Sequence, residues 1–102
     1  MKYQLVIQWP ATSIKDYDAM IDVEDVLIER LTGLHEIDGH DAGSGEVNIF
    51  ILTSDYEKAF DEVEAILKGH GLWVDARVAY REIDRNEYTV LWPKGLNEFS
   101  VA

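Results

Sequence analysis

Apolar residues recur along this chain with two different periods, and the order in which these periods follow one another limits the fold more than any other feature. Residues 3–9, YQLVIQW, alternate every second residue, which is typical of a strand with one buried face. Pro10 is expected to end this strand, because proline cannot donate a backbone hydrogen bond. Residues 16–32 then follow the period of a helix.

The first predicted helix, residues 16–32, carries an apolar stripe and an acidic stripe. Ser13 or Asp16 is expected to cap its start, and Gly33 to end it. The apolar stripe predicts the buried face and consists of Met20, Val23, Leu27 and Leu31, widened by Ile21 and Ile28. The acidic stripe lies at helical spacing on another face and consists of Asp18, Asp22, Asp25 and Glu29.

A second helix is predicted over residues 54–68, between Ser54 and Gly69. Ser54 followed by Glu57 has the spacing of a capping box, in which each side chain accepts a hydrogen bond from the other residue's backbone N–H. The expected buried face consists of Ala59, Phe60, Val63, Ile66 and Leu67.

The remaining segments predict four further strands and a tail. Residues 34–41 and 46–53 flank the glycine-rich turn DAGSG, residues 72–81 alternate over ten positions, and residues 87–92 follow the turn IDRN. Pro93 is expected to end the last strand, and residues 94–102 form a loose tail. The chain is therefore expected to be one domain, residues 1–93, followed by the tail 94–102.

The order β-α-β-β-α-β, followed by an extra strand, resembles the ferredoxin-like superfold, also called the split βαβ arrangement. The resemblance covers residues 3–81 and is carried by element order. It implies an α+β two-layer sandwich in which the first strand lies between the third and fourth, with the second at an edge. Because this superfold hosts many unrelated functions, the resemblance implies no particular chemistry.

The charge distribution limits the class of partner. The net charge is −11, and residues 13–70 hold 15 acids and 4 bases, so this segment alone accounts for the whole excess. Phosphate attraction cannot drive binding to such a surface, so nucleic acid is excluded as an expected partner. A basic protein partner fits this charge, as does a face that is merely solvated.

Composition adds expectations about location. The chain has no cysteine, which removes disulfides, thiol catalysis and sulfur-ligated zinc. It has no run near the roughly 18 apolar residues of a membrane helix, and its first ten residues do not resemble a signal peptide. A cytoplasmic protein without a membrane segment is expected.

A mixed surface is predicted on the sheet face opposite the helices. With Leu5, Ile7, Val47, Ile49, Ile51, Val74, Ala76 and Val78 on the covered face, large apolar groups, amides and arginines fall on the other face. Its explanations are coverage by the tail or last hairpin, a homodimer interface, or a ligand surface. The candidate binding residues are Gln8, His40, Asn48, Phe50, Trp73 and Arg77, with His40 on this face in one of two possible registers of the second strand.

The segment HEIDGHDAGSGE, residues 35–46, raises the question of a metal site. Strand alternation would place His35 and His40 on opposite faces and leave His40 and Asp38 without an obvious third ligand. The GSG turn is too short for a phosphate loop. We therefore expect a hairpin with no metal and no cofactor.

The favoured hypothesis is a small, acidic, non-catalytic binding protein that acts through the open sheet face or the acidic helical layer. The alternative is a small ferredoxin-like enzyme that dimerises and encloses a pocket on the sheet face, with His40, Arg77 and Asn48 as its polar residues. No residue is assigned a catalytic role, because no acid/base pair or nucleophile spacing is recognisable.

Overall fold

The computed structural model describes residues 1–14, 17–31, 33–43 and 45–101. Five strands and two helices follow the order β1, α1, β2, β3, α2, β4, β5. Their bounds are β1 Tyr3–Pro10, α1 Tyr17–Arg30, β2 His35–Gly43, β3 Glu46–Thr53, α2 Tyr56–Gly69, β4 Arg77–Glu82 and β5 Thr89–Trp92. A short 3-10 helix, Ala11–Ser13, links β1 to the segment before α1.

The strands form one five-stranded sheet in the order β2-β3-β1-β4-β5, with every neighbouring pair antiparallel. β1 lies at the centre, and its five consecutive residues Leu5–Trp9 are all buried. Two helices and an antiparallel sheet confirm the predicted α+β class. β1 ends at Pro10, as expected, and Pro10 pairs with Glu46 as the last residue of the strand.

Both helices bury their apolar stripes against the same sheet face. Met20, Val23 and Leu27 of α1 and Ala59, Val63 and Leu67 of α2 join the alternate residues of β1 and β3 in one core. The expected stripe of α1 is therefore confirmed at its centre. Ile28 does not widen it, since 57% of Ile28 is exposed. The cap expected from Asp16 falls outside the described residues.

The fourth strand begins later than its sequence pattern predicts. Residues 72–76 form a turn in which the Leu72 N–H donates to the Leu67 carbonyl at 2.8 Å, and Asp75 has a φ of 61°. The extended conformation therefore starts at Arg77. Val74, expected in the core, is 73% exposed. The prediction that Trp73 lies on the open sheet face is also wrong, because Trp73 precedes the strand.

The hairpin of β2 and β3 contains a bulge that changes which residues share a face. The register shifts between Ile37 and Gly39, and Gly39 has a φ of 135° that favours glycine. His35 lies opposite Thr53 and His40 lies opposite Ile49, both on the helix-covered face. The prediction that alternation separates His35 from His40 is therefore wrong, since the extra residue restores them to one face.

α2 is capped by Asp55 and not by Ser54. The Asp55 side chain accepts a hydrogen bond from the Lys58 backbone N–H at 3.0 Å, and the helix begins at Tyr56. The capping box predicted for Ser54 and Glu57 is wrong by one residue, because aspartate at the next position is an equally good acceptor.

We expect Asp55→Ala to lower the free energy of unfolding by about 0.5–2 kcal/mol, because it leaves the Lys58 N–H without its cap. Ser54→Ala is the matched control and should change it by less than about 0.5 kcal/mol, as an ordinary surface substitution does. Urea denaturation of both variants measures the difference. A larger loss for Ser54→Ala would contradict the assignment of the cap.

Candidate functional site

The open sheet face is covered in part by the chain's own C-terminal tail. The Gln8 side-chain amide donates to Asn48 Oδ1 at 3.0 Å and to the Ser100 carbonyl at 2.9 Å. Gln8 and Asn48 are each only 2% exposed. The tail residue Ser100 is therefore held against the middle of the sheet by a buried amide pair.

The β4–β5 connection lies over the other end of the same face. Arg81 projects from β4 and donates to Gln4 Oε1 at 3.0 Å, to the Ile83 carbonyl at 2.8 Å and to the Arg85 carbonyl at 2.9 Å. These bonds order the connection above the sheet. Arg81 thus has a structural role, because its donors are directed at the chain's own carbonyl groups.

Tail and connection meet through two aromatic rings. Tyr88 of the connection and Phe99 of the tail have ring centroids 5.2 Å apart. Val6 and Ala79, which face each other across β1 and β4 on this side, have no exposed surface although both helices lie on the opposite face. The open face is therefore closed over its centre by the chain's own residues.

Four of the six predicted binding residues come together on this face. Gln8 and Asn48 are buried, Phe50 is half-buried and Arg77 is exposed. Arg77 lines a shallow groove of about 260 Å³ together with Gln8, Glu46 and the tail. This groove is small because the tail occupies the adjacent surface.

His40 and Trp73, the other two predicted binding residues, lie on the helix side. His40 Nδ1 is 2.9 Å from Glu24 Oε2, which joins β2 to α1. The Trp73 ring lies 6.0 Å from Phe60 and 5.7 Å from Trp92, and Lys68 Nζ is 6.0 Å from its centroid. No described residue accepts a hydrogen bond from its buried Nε1. These two residues therefore do not belong to one site with the other four.

A buried polar chain links β2, β3 and α2. His35 Nδ1 lies 2.7 Å from Thr53 Oγ1, and His35 Nε2 lies 3.0 Å from Glu62 Oε2. Sequence reasoning missed this chain, because the three residues are far apart in sequence and only the β2–β3 pairing places His35 opposite Thr53.

The order hydroxyl, imidazole, carboxylate resembles a nucleophile with its base and orienting acid. Thr53, however, has no exposed surface. Its hydroxyl also accepts from the Asp55 N–H at 3.0 Å and lies within donating distance of the Asp55 carbonyl. No substrate can reach this oxygen. The polar chain of Thr53, His35 and Glu62 is therefore a structural link between the sheet edge and α2.

Three tyrosines cluster where α2 begins. The rings of Tyr56 and Tyr80 stack with centroids 3.8 Å apart, and Tyr3 meets them edge-on at 5.0 and 5.8 Å. Hydrogen bonding with the Tyr80 side chain, together with charge repulsion from it, raises the pKa of Tyr56 to about 12. The cluster therefore holds Tyr56 in its neutral form.

This raised pKa predicts how stability responds to alkaline pH. The unfolded chain loses the Tyr56 proton near its ordinary pKa of 10.0, whereas the folded protein keeps it to about 12. The contribution of Tyr56 to the free energy of unfolding is therefore complete below the pKa of the unfolded chain. It is lost as the pH rises through the pKa of the folded protein. Tyr80→Phe should return the Tyr56 transition towards 10, measured by tyrosinate absorbance. The control Tyr88→Phe should leave it unchanged, and an unshifted transition in Tyr80→Phe would contradict the coupling.

The exposed acids of α1 and β2 form the largest charged feature that the sequence identified. We define the acidic surface as Asp18, Asp22, Asp25 and Glu29 of α1 with Glu36, Asp38 and Asp41 of the edge strand β2, all of them exposed. Glu36 and Asp41 pair with Leu52 and Asn48, so they extend this surface around the edge of the sheet to its open face. The α1 stripe extends about 16 Å along the helix axis at 1.5 Å per residue. In the described part of the chain, the ion pairs involve other carboxylates. The charge of the acidic surface is therefore not neutralised by described residues.

Two further observations concern metals and membranes. Among the described residues, no three histidine or carboxylate side chains gather closely enough to hold a metal ion. Neither described helix is long and apolar enough to cross a membrane.

Comparison with protein-family models, with curated proteins and with solved structures finds no significant match to this chain.

Proposed function

We propose that this protein is a small non-catalytic binding protein that holds a basic protein partner on the acidic surface of α1 and β2. The observation that carries the proposal is the α1 stripe of Asp18, Asp22, Asp25 and Glu29, which is exposed and without an ion-pair partner among the described residues. Clustered like charges repel one another, and a basic partner relieves that repulsion while being steered to the surface.

The hydrogen bond between His40 and Glu24 supports α1 and β2 acting as one surface. It joins the helix to the edge strand at 2.9 Å. The open sheet face has less to offer a partner, because Ser100 already occupies the Gln8 amide. A partner binding there would first have to displace the tail.

The alternative of a small dimeric enzyme receives weaker support. Arg77 lines only a shallow groove of about 260 Å³, which the chain's own tail residues Glu98, Phe99 and Ser100 border. His40 points to α1 and not towards Arg77 or Asn48. The three polar residues proposed for such an enzyme therefore do not converge.

We also propose that the fold is ferredoxin-like with one added strand. The support is the element order together with β1 between β3 and β4 and with β2 at an edge. β5 extends the sheet beyond β4, so the five-strand order differs from that of the four-stranded superfold.

Charge reversal tests the binding proposal. The variant Asp22→Lys with Asp25→Lys reverses the centre of the α1 stripe. The control variant Asp84→Lys with Glu87→Lys reverses two exposed acids of the β4–β5 connection and changes the net charge by the same amount. Wild type and both variants would be used to capture partners from the native cell extract, followed by affinity measurement on the recovered protein.

We expect the recovered partner to be basic and to bind the α1 variant about tenfold more weakly or worse, because a reversed charge slows association and adds repulsion. The control should bind like wild type, and raising the salt concentration should weaken binding. Equal binding by both variants would contradict the proposal.

A further inference from the structure

An apolar groove lies between α1 and the edge strand β2, within the acidic surface. It has a volume of about 290 Å³ and is lined by Ile28, Leu31, His35, Glu36 and Ile37. Ile28 is 57% exposed, and Leu34, just before β2, is 53% exposed. These large aliphatic side chains are exposed to water instead of packing in the core. Exposed apolar side chains that lie together are typical of an interaction site.

Carboxylates border this groove. Asp25 precedes Ile28 by one helical turn and Glu29 follows it directly. Glu36 lines the groove from β2, but it pairs with Leu52, so its carboxylate lies on the other face of the strand. The groove therefore combines an apolar floor with a negative rim. An acidic segment would bury its apolar groups there at the cost of like-charge repulsion, and a neutral segment would gain from apolar burial alone. A basic segment gains from both.

The edge strand adds a third property. β2 is outermost in the described sheet, so its free side presents backbone groups along the groove. The bulge between Ile37 and Gly39 and the acids of β2 oppose pairing with a second copy of the same acidic strand. A segment with positive side chains does not meet this repulsion.

We infer that the groove between α1 and β2 receives an extended basic segment of a partner protein, with an aliphatic side chain between Ile28 and Ile37 and flanking lysines or arginines facing Asp25 and Glu29. The inference rests on the proposed function and specifies the partner: its binding segment has apolar residues that alternate with basic ones.

The test uses a short synthetic peptide in which lysine alternates with leucine, and a second peptide with serine in place of leucine. Ile28→Ser removes the exposed aliphatic wall of the groove. Ile83→Ser is the matched control, because Ile83 is also exposed, at 43%, and lies in the β4–β5 connection. Both positions are solvent-exposed, so both variants should fold, and thermal melting checks this. Fluorescence anisotropy measures affinity, and amide chemical shifts locate the peptide.

We expect the leucine peptide to shift the amides of Ile28, Leu31 and Ile37, and Ile28→Ser to weaken its binding about tenfold, the loss expected for one aliphatic contact. Ile83→Ser should bind like wild type, and the serine peptide about tenfold more weakly. Equal affinity of the two isoleucine variants, or of the two peptides, would contradict binding in the groove. If the peptides bind with equal affinity but do not bind the Asp22→Lys, Asp25→Lys variant, the groove inference fails and the proposed function of the acidic surface survives. If neither peptide binds at low salt, the inference and the proposed function both fail.

Discussion

Replacing Trp9 by alanine is expected to lower the free energy of unfolding by about 3–5 kcal/mol, as removal of a large buried aromatic side chain does. Trp9 is 1% exposed and is among the largest fully buried side chains of the described chain. Its indole N–H also donates to the Leu72 carbonyl at 3.0 Å, which ties the end of β1 to the turn before β4. Since small domains are stable by only about 5–15 kcal/mol, this variant should be near its folding limit.

Trp9→Phe is the control for this prediction. It keeps an aromatic ring in the core and removes the indole N–H, so its loss should be clearly smaller than that of Trp9→Ala. Urea denaturation followed by far-ultraviolet circular dichroism measures both, because that signal does not depend on the removed indole. A loss below about 0.5 kcal/mol for Trp9→Ala, the size of an ordinary surface substitution, would contradict its place in the core.

Replacing Thr53 by valine is expected to cost about 1–3 kcal/mol, because it removes a buried hydroxyl and leaves its partners unpaired. Those partners are His35 Nδ1 and the Asp55 N–H, at 2.7 and 3.0 Å. Valine keeps the branched shape that suits a strand, so the loss reports the hydroxyl and not a change of backbone preference.

Thr53→Ser retains the hydroxyl and should lose much less stability than Thr53→Val in the same denaturation experiment. This pair also tests the structural role of the polar chain of Thr53, His35 and Glu62. A structural tie requires that the valine variant be destabilised. A valine variant as stable as wild type would contradict that tie.

Element types and their order could be predicted from the sequence because they depend on local periodicity. The alternation of residues 3–9 and the apolar stripes of both helices are fixed by which side chains must leave water, and no distant contact overrides them. The α1 acidic stripe could be predicted for the same reason, since charged residues at helical spacing remain on the solvent side.

The cap of α2, displaced from Ser54 to Asp55, is a local error. The other errors depend mainly on how separate elements contact one another. Residues 72–76 alternate like a strand, but the Leu67 and Trp9 hydrogen bonds to Leu72 hold them in a turn. The bulge at Gly39 reverses the expected face of His40, and a single extra residue leaves no periodic signal. Coverage of the open face by the tail was among the expected explanations, and the structure places Ser100 there, although its carbonyl group leaves no signal in side-chain patterns.

The proposed binding surface also has one part that local periodicity predicts and one part that depends on contacts between elements. Its acids could be identified from spacing alone, whereas the groove beside them arises because Ile28 turns outward near β2. The sequence assigned Ile28 to the core, since an isoleucine next to an apolar stripe is buried in most helices. Only the position of the edge strand relative to α1 shows that Ile28 faces a groove.

Hydrogen–deuterium exchange of the protein with and without its captured basic partner tests the proposed binding surface most directly. We expect slower exchange in α1 from Asp18 to Glu29 and in β2 from His35 to Ile37, with little change in β4, β5 and the tail. Slower exchange confined to the open sheet face around Phe50, Arg77 and Ser100, with α1 unchanged, would contradict it.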